Sequence, residues 1–340
     1  MPGQHEIVTG GALLKQDGSL AQKGYSTRAL LHYNREAIKA PPWRIKEWDF
    51  YQISNERYCL QMTIGHVSYA GAVTATLFEL DTGLKHETST MLAFPFNRLK
   101  MPRSAEGGDL SFESKNMCMS FEAGSDRRIL TCRAGDRKGG RMEIAVTLFA
   151  PDKTSIVMAT PFDEGSRYFY YNHKINCMPA EGAAVINGRE YIFSPDRSFG
   201  LLDWGRGVWP FRHSWYWGSG SCWLDGKRFG FNIGWGFGNT AVATENILFY
   251  DGTAHKLGRV HADLQEGGYM STKRFTSDGD RFNLEFTPIH DNYTATRLLF
   301  VDNRCHQLFG KFSGSVILDD GSTLQVKEMT AFIEHAVNNW

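Results

Sequence analysis

Hydrophobic and polar positions alternate along most of this chain. The alternation is clearest in Phe229-Gly230-Phe231-Asn232-Ile233-Gly234-Trp235-Gly236-Phe237-Gly238, where large apolar residues hold the odd positions and Gly or Asn the even ones. A period of two marks an extended strand, whose side chains point to opposite faces in turn. From Trp43 onward the same pattern covers residues 48–53, 58–64, 72–80, 110–121 and 142–149, with a polar linker at 134–140. In the second half, Asn187-Gly188, Asp225-Gly226, Asp251-Gly252, Asp278-Gly279 and Asp320-Gly321 each separate two such runs, and these dipeptides favour the positive φ angles of tight hairpin turns. Two helices are expected. One covers 28–39, capped by Ser26 or Thr27 and stopped by Pro41-Pro42, and the other covers 328–337. A meander of this kind must hide its strand edges, and curling into a barrel does so. The expected fold is all-β, two lipocalin-like antiparallel barrels or half-barrels with short peripheral helices, divided as residues 1–165 and 166–340.

Size agrees with that division, since 340 residues are long for a single core. The formal net charge is zero and no basic stripe is present, so nucleic acid is not an expected partner. The six cysteines (Cys59, Cys118, Cys132, Cys177, Cys222, Cys305) are scattered without a CxxC pair and read as free thiols of a reducing compartment. The amino-terminal residues lack the pattern of a secretory leader, and no apolar run is long enough to cross a bilayer. A cytoplasmic location without stable membrane insertion is therefore expected, and the sequon at Asn292-Tyr293-Thr294 reads as chance. A homodimer is left open.

Candidate chemistry gathers in the middle of the chain. Residues 203–217 place four of the nine Trp beside Asp203, Arg206, Arg212 and His213. The Gly-Arg-Gly bracket and Pro210 shape a loop over 203–210, and an extended run after it sets His213, Trp215 and Trp217 on one face. Glycines on one face of 229–238 imply a bulky neighbour or a ligand against the backbone, and Trp215 and Trp217 lying across them is the packing explanation. Residues 167–176 form a strand with Tyr168, Tyr170, Asn172 and Lys174 on one face and Phe169, Tyr171, His173 and Ile175 on the other. His173 or Lys174 in an apolar pocket would have its cation disfavoured and become suited to proton transfer; an interior His bonded to a carbonyl is the structural reading. Asp203 and Arg206 either clasp each other to staple the loop or act on a substrate hydroxyl and its developing charge. Glu245 and Asn246, before an apolar run at 247–250, are candidate ligand contacts or turn-formers. No GxGxxG between strand and helix, GxxxxGK[ST], HExxH or GxSxG occurs, and no His or Cys spacing marks a metal site, so neither a cofactor nor a metal is expected.

Asn172-His173-Lys174, the 203–217 stretch, 231–238, Phe309-Gly310-Lys311-Phe312-Ser313-Gly314 and the closing Asn338-Asn339-Trp340 together resemble the family catalogued as domain of unknown function 2804. At the level of fold the resemblance implies the paired lipocalin-type barrels of carotenoid hydratases, AttH proteins and fungal Diels-Alderases; it carries no residue roles.

The residues point to an aromatic-lined pocket for an apolar or aromatic, hydroxylated small molecule, worked on by cofactor-independent acid/base chemistry of the lyase, hydratase, isomerase or cyclase type. His173 or Lys174 would move a proton while Asp203 and Arg206 polarise or orient. Tyr170, Tyr171, Asn172, Trp209, His213, Trp215, Trp217, Asn232, Trp235, Glu245 and Asn246 are the candidate binding residues. A non-catalytic carrier of a lipid or pigment is the alternative, and an interaction module with an exposed aromatic face is a third; only the enzyme requires ionisable groups inside the pocket.

Overall fold

The computed structural model describes residues 3–135, 139–150, 152–298 and 301–339. Trp340 and the middle of the 134–140 linker lie outside them. Among the described residues the chain is almost entirely β, arranged as a thirteen-stranded and a nine-stranded sheet, both curled and antiparallel along their main paths, and a two-stranded parallel ribbon. Eight strands frame the site and are labelled here in chain order. From the first sheet come β1 (Lys46–Ser54), β2 (Tyr58–His66), β3 (Phe169–Ile186) and β4 (Phe199–Val208); from the second come β5 (Arg212–Leu224), β6 (Lys227–Trp235), β7 (Val301–Ile317) and β8 (Thr323–Asn339). In the first sheet the order runs β2-β1-β4-β3, and in the second β6-β5-β8-β7. Hydrogen bonding changes sheet across residues 209–211, so β3 and β4 both pair into the first sheet.

Three of the five hairpin signals behave as their chemistry requires, whereas Asp278-Gly279 lies in a 3-10 turn and at Asp320-Gly321 only the glycine has positive φ. Asn187-Gly188, Asp225-Gly226 and Asp251-Gly252 each carry positive φ at both residues and join adjacent antiparallel strands. Both expected helices are corrected. In 28–39 the chain forms a short strand at Leu31–His32 and a single 3-10 turn at Arg35–Ala37, because the Asn34 side chain accepts the Glu36 N–H and diverts the backbone. The segment 328–337 belongs to β8, paired along its length with β5 and β7. Among the described residues the helices are three 3-10 turns at Arg35–Ala37, Pro42–Arg44 and Asp278–Asp280. None is long and apolar enough to cross a membrane.

Strand alternation divides the apolar side chains into two interiors and a seam. Tyr51, Ile53, Leu60, Met62, Leu202, Trp204 and Tyr171 point into the core enclosed by the first sheet. Phe229, Phe231, Ile233, Leu308, Ala331 and Ile333 point into that of the second. The opposite faces of the same strands meet back to back, where Cys59, Phe78, Leu201, Trp217, Phe309 and Phe332 form a third cluster. Both faces of the central strands are therefore buried. The site occupies this seam and lies outside both barrel interiors.

Candidate active site between the two sheets

A cavity of about 240 Å3 opens in the seam. Its first-sheet wall consists of Trp48 and Phe50 on β1, Thr63 on β2, Tyr170 and Lys174 on β3, and Asp203 on β4. The second-sheet wall adds Trp215 and Trp217 on β5, Glu334 on β8, and Phe237 and Glu245 from the connection that follows β6. A recess beside it is lined by Asn172, Trp235, Tyr170, Phe237 and Glu245. A wider groove of about 850 Å3 over the outside of the first sheet, bounded by residues such as Glu143, Glu181 and Ile192, contains none of Lys174, Asp203, Glu245 and Glu334.

Three carboxyl groups and one ammonium face the cavity. Lys174 Nζ sits 2.6 Å from Glu245 Oε2 and 4.1 Å from the centre of the Trp217 ring. Asp203 accepts the Trp48 Nε1–H at 3.0 Å through Oδ2, and the Tyr170 hydroxyl lies 3.5 Å from Oδ1. Burial pushes the Asp203 carboxyl above its usual range, against the pull of Lys174 and the Trp48 hydrogen bond. Glu334 accepts from Trp215 Nε1 at 2.5 Å and from Gln307 Nε2 at 3.3 Å. Burial pushes it up to about 7, the value suited to exchanging protons at neutral pH. Gln307 is itself oriented from the other sheet: Gln61 Nε2 donates to Gln307 Oε1 at 2.9 Å and also to Gln52 Oε1 at 2.9 Å.

Glu245 is placed by two asparagines and a glycine. Asn232 Nδ2 donates to its Oε2 and to its backbone carbonyl, both at 3.0 Å, while Asn232 Oδ1 accepts from Trp217 Nε1 at 2.8 Å. Asn246 Oδ1 accepts the Gly234 N–H at 2.7 Å and ties the connection back to β6. A Cβ at Gly234 would overlap the Glu245 carboxylate, so the glycine face is occupied here by an acid and not by the expected Trp215 and Trp217. Farther along the same face, Gly230 is covered by Cys177 Sγ. A Gly234→Ala variant is expected to push Glu245 off Lys174 and to cost about 1–3 kcal/mol in urea denaturation. Loss of the Lys174–Glu245 contact can be read from the pH dependence of the Trp217 fluorescence beneath the lysine.

Sequence-selected residues divide by strand parity. Lys174, Asp203, Tyr170, Trp215, Trp217 and Glu245 line the cavity, and Asn172 and Trp235 line the recess. Asn232 and Asn246 position Glu245 from behind. Trp209 is fully buried and packs edge-on against Trp48 and Tyr170, with His213 stacked on Trp215 behind it. Burial, with the nearby Lys46 charge, drives His213 down to about 3.

His173, Tyr171 and Arg206 turn the other way. Each is an odd number of residues from a cavity-facing neighbour on its own strand, so its side chain points into the first core. His173 Nε2 bonds Ser155 Oγ at 2.7 Å, and the Tyr171 hydroxyl donates to the Leu31 carbonyl at 2.7 Å. Arg206 does not clasp Asp203. Its guanidinium bonds Asp49 at 2.8 Å and three backbone carbonyls, and lies 4.0 Å over the Trp204 ring.

Burial holds His173 down at about 3, against 6.5 for an ordinary imidazole. The unfolded chain then binds a proton that the folded one refuses. This share of stability is complete above pH 6.5 and is lost progressively as pH falls toward 3. His173→Gln, which retains a hydrogen-bonding partner for Ser155, is expected to shallow the acid limb of a pH-against-melting-temperature curve. It should leave the cavity's chemistry intact.

Glu334 escaped the sequence reading because 328–337 has helical spacing, with Met329, Phe332, Ile333 and Ala336 at intervals of three and four. Trp48, Phe50 and Phe237 carried no polar signal to set them apart from core residues.

Among the described residues no group of three or more His, Cys, Asp or Glu converges in a way that could hold a metal ion. A search of curated proteins gave no match. Among solved structures, kievitone hydratase from Nectria haematococca is similar at 11% identity and a TM-score of 0.46, covering 96% of this chain and 98% of that one. A provisionally assigned AttH protein from Nitrosomonas europaea is similar at 12% identity and a TM-score of 0.40, covering 97% and 98%. The family model described as "Domain of unknown function (DUF2804)" matches residues 4–340, and the chain belongs to that family.

Proposed function

We propose that the seam cavity is the active site of a cofactor-independent acid/base enzyme, of hydratase or lyase type, acting on a mostly apolar and hydroxylated small molecule with room for one aromatic ring. The supporting observation is Glu334. Burial pushes its carboxyl up to about 7, and it faces an aromatic-lined cavity that it shares with Asp203 and the Lys174–Glu245 pair. An inert carrier has no need of such groups, because burying them without a task costs stability.

In the hydration direction, protonated Glu334 delivers its proton to one carbon of a double bond. Asp203 takes a proton from the water whose oxygen bonds the other carbon. Elimination runs the same steps in reverse, with Glu334 receiving the proton from carbon and Asp203 protonating the departing hydroxyl. Lys174 stabilises negative charge as it develops, and Trp48, Trp215 and Trp217 hold the apolar body of the substrate. The volume, a little under the roughly 300–1,000 Å3 typical of drug-sized ligands, favours a small guest.

The test is an untargeted metabolite incubation of wild type beside Asp203→Asn and Lys174→Met. Product that forms with wild type and disappears with either variant supports the enzyme. A compound retained equally by all three proteins and never converted establishes the carrier instead.

A further inference from the structure

The cavity carries more acid than base, and this charge count has a consequence for what it binds. We infer that the site selects a small organic ammonium ion, so that its substrate class is an amine bearing positive charge beside an apolar or aromatic body; this rests on the reading of the cavity as the substrate site.

Three carboxyl groups, Asp203, Glu245 and Glu334, face one ammonium, that of Lys174. Lys174 is engaged with Glu245 at 2.6 Å. Asp203 and Glu334 are each hydrogen-bonded by an indole N–H, from Trp48 and Trp215 respectively, and share with Glu245 the single Lys174 charge. A cationic guest would supply the missing countercharge.

The remaining wall suits the same guest. Trp48, Phe50, Tyr170, Trp215 and Phe237 surround the space, and aromatic faces attract a desolvated ammonium through their quadrupoles. The cavity wall itself already uses this attraction, where Lys174 lies over Trp217. An indole that donates its N–H to a carboxylate gains electron density on its face, so Trp48 and Trp215 become better cation receptors when Asp203 and Glu334 ionise. The carboxyls are distributed around the cavity and do not converge as metal ligands do. That spacing fits a bulky, weakly hydrated cation better than a small hard one.

Proton linkage gives the inference a second signature. Burial raises the Asp203 carboxyl and brings Glu334 up to about 7, so at and below neutral pH Glu334 carries a proton that a cation would displace. Binding of the cation should therefore release protons and strengthen as pH rises through about 7, where Glu334 ionises.

Choline and 3,3-dimethylbutan-1-ol, its neutral carbon isostere, are the probes. They match in shape and hydroxyl and differ only in charge. Tryptophan fluorescence gives affinities, and calorimetry in two buffers of different protonation enthalpy gives the protons released. Choline is expected to bind about tenfold or more tightly than the alcohol, a difference of about 1.4 kcal/mol. The preference should grow with pH and shrink in Glu334→Gln and Asp203→Asn. Equal or tighter binding of the alcohol, binding of neither probe, or a preference unchanged in both variants overturns the inference. Preference for the alcohol together with turnover of neutral compounds would leave the acid/base reading standing and remove only this one. Ammonium selectivity in a protein that converts no metabolite would do the opposite.

Discussion

Glu334→Gln is expected to lower turnover by about 10^2 to 10^4-fold, the range over which a positioned acid or base contributes to rate. Glutamine has the same length and keeps an oxygen to accept the Trp215 N–H, so the seam should close around it as before. What it loses is the proton. The effect should fall on kcat, with KM altered little, because the substrate still meets the same walls. Wild-type turnover should also show a limb near pH 7, where burial places the Glu334 titration, and that limb should be absent from the variant. Rates of product formation between pH 5 and 9 provide the check. A Glu334→Gln protein that retains turnover within a few-fold, with the limb intact, would remove Glu334 from the chemistry.

Gln307→Met probes the same group less severely. Its amide N–H supports the ionised form of Glu334, and Gln61 across the seam fixes the amide's orientation. Without that donor the carboxyl should titrate higher, and the limb should move to higher pH without disappearing. A packing role alone would lower activity uniformly and leave the limb where it was.

How far this site could be read from sequence followed from which faces the strands bury. Period two along 168–175 correctly separated Tyr170, Asn172 and Lys174 from Tyr171 and His173. The glycine face of 229–238 correctly signalled something pressed against the backbone, although its occupant at Gly234 is a carboxylate supplied by residue 245. The same rule applied to β4 would have set Asp203 and Arg206 on opposite faces. Their loop-like Gly-Arg-Gly context hid a strand, which tolerates those glycines because the Trp48 indole lies directly over Gly205. In β8 alternation disappears because residues 331–333 and 335–336 are buried on both sides, by the second core and by the seam. A stretch buried on both faces has no solvent-facing polar side to reveal its period, and the helical spacing is incidental. Glu328, with a φ of 48°, adds an irregularity that interrupts the pattern where the strand should declare itself. The meeting of two sheets back to back lies beyond any local signal, since each wall of the cavity comes from strands far apart in sequence.

Arg206→Met is expected to destabilise the protein by about 3–5 kcal/mol, the effect of stranding buried charges, and to do so without altering the cavity wall. Arg206 is fully buried, its guanidinium bonded to Asp49 at 2.8 Å and lying 3.7 Å from Glu47, which Arg35 also contacts. Methionine fills much of the same volume over Trp204 but supplies no hydrogen-bond donor. It would leave Asp49 with its carboxylate in a dry interior and the carbonyls of Trp48, Gly205 and Pro102 without this donor. Burial already pushes Asp49 above its usual range despite Arg206, so the variant should hold a proton there more firmly. Raising the folded pKa of an acid makes the stability it contributes greatest at low pH and loses it as pH rises, so the deficit should narrow on acidification. Removing both partners in Arg206→Met with Asp49→Leu should recover part of the loss, since no lone charge then remains at that pair. Urea denaturation followed by circular dichroism at pH 5 and pH 8 separates these outcomes. An Arg206→Met protein within about 1 kcal/mol of wild type, yet without turnover, would return Arg206 to the catalytic site and overturn the parity argument that placed it in the core.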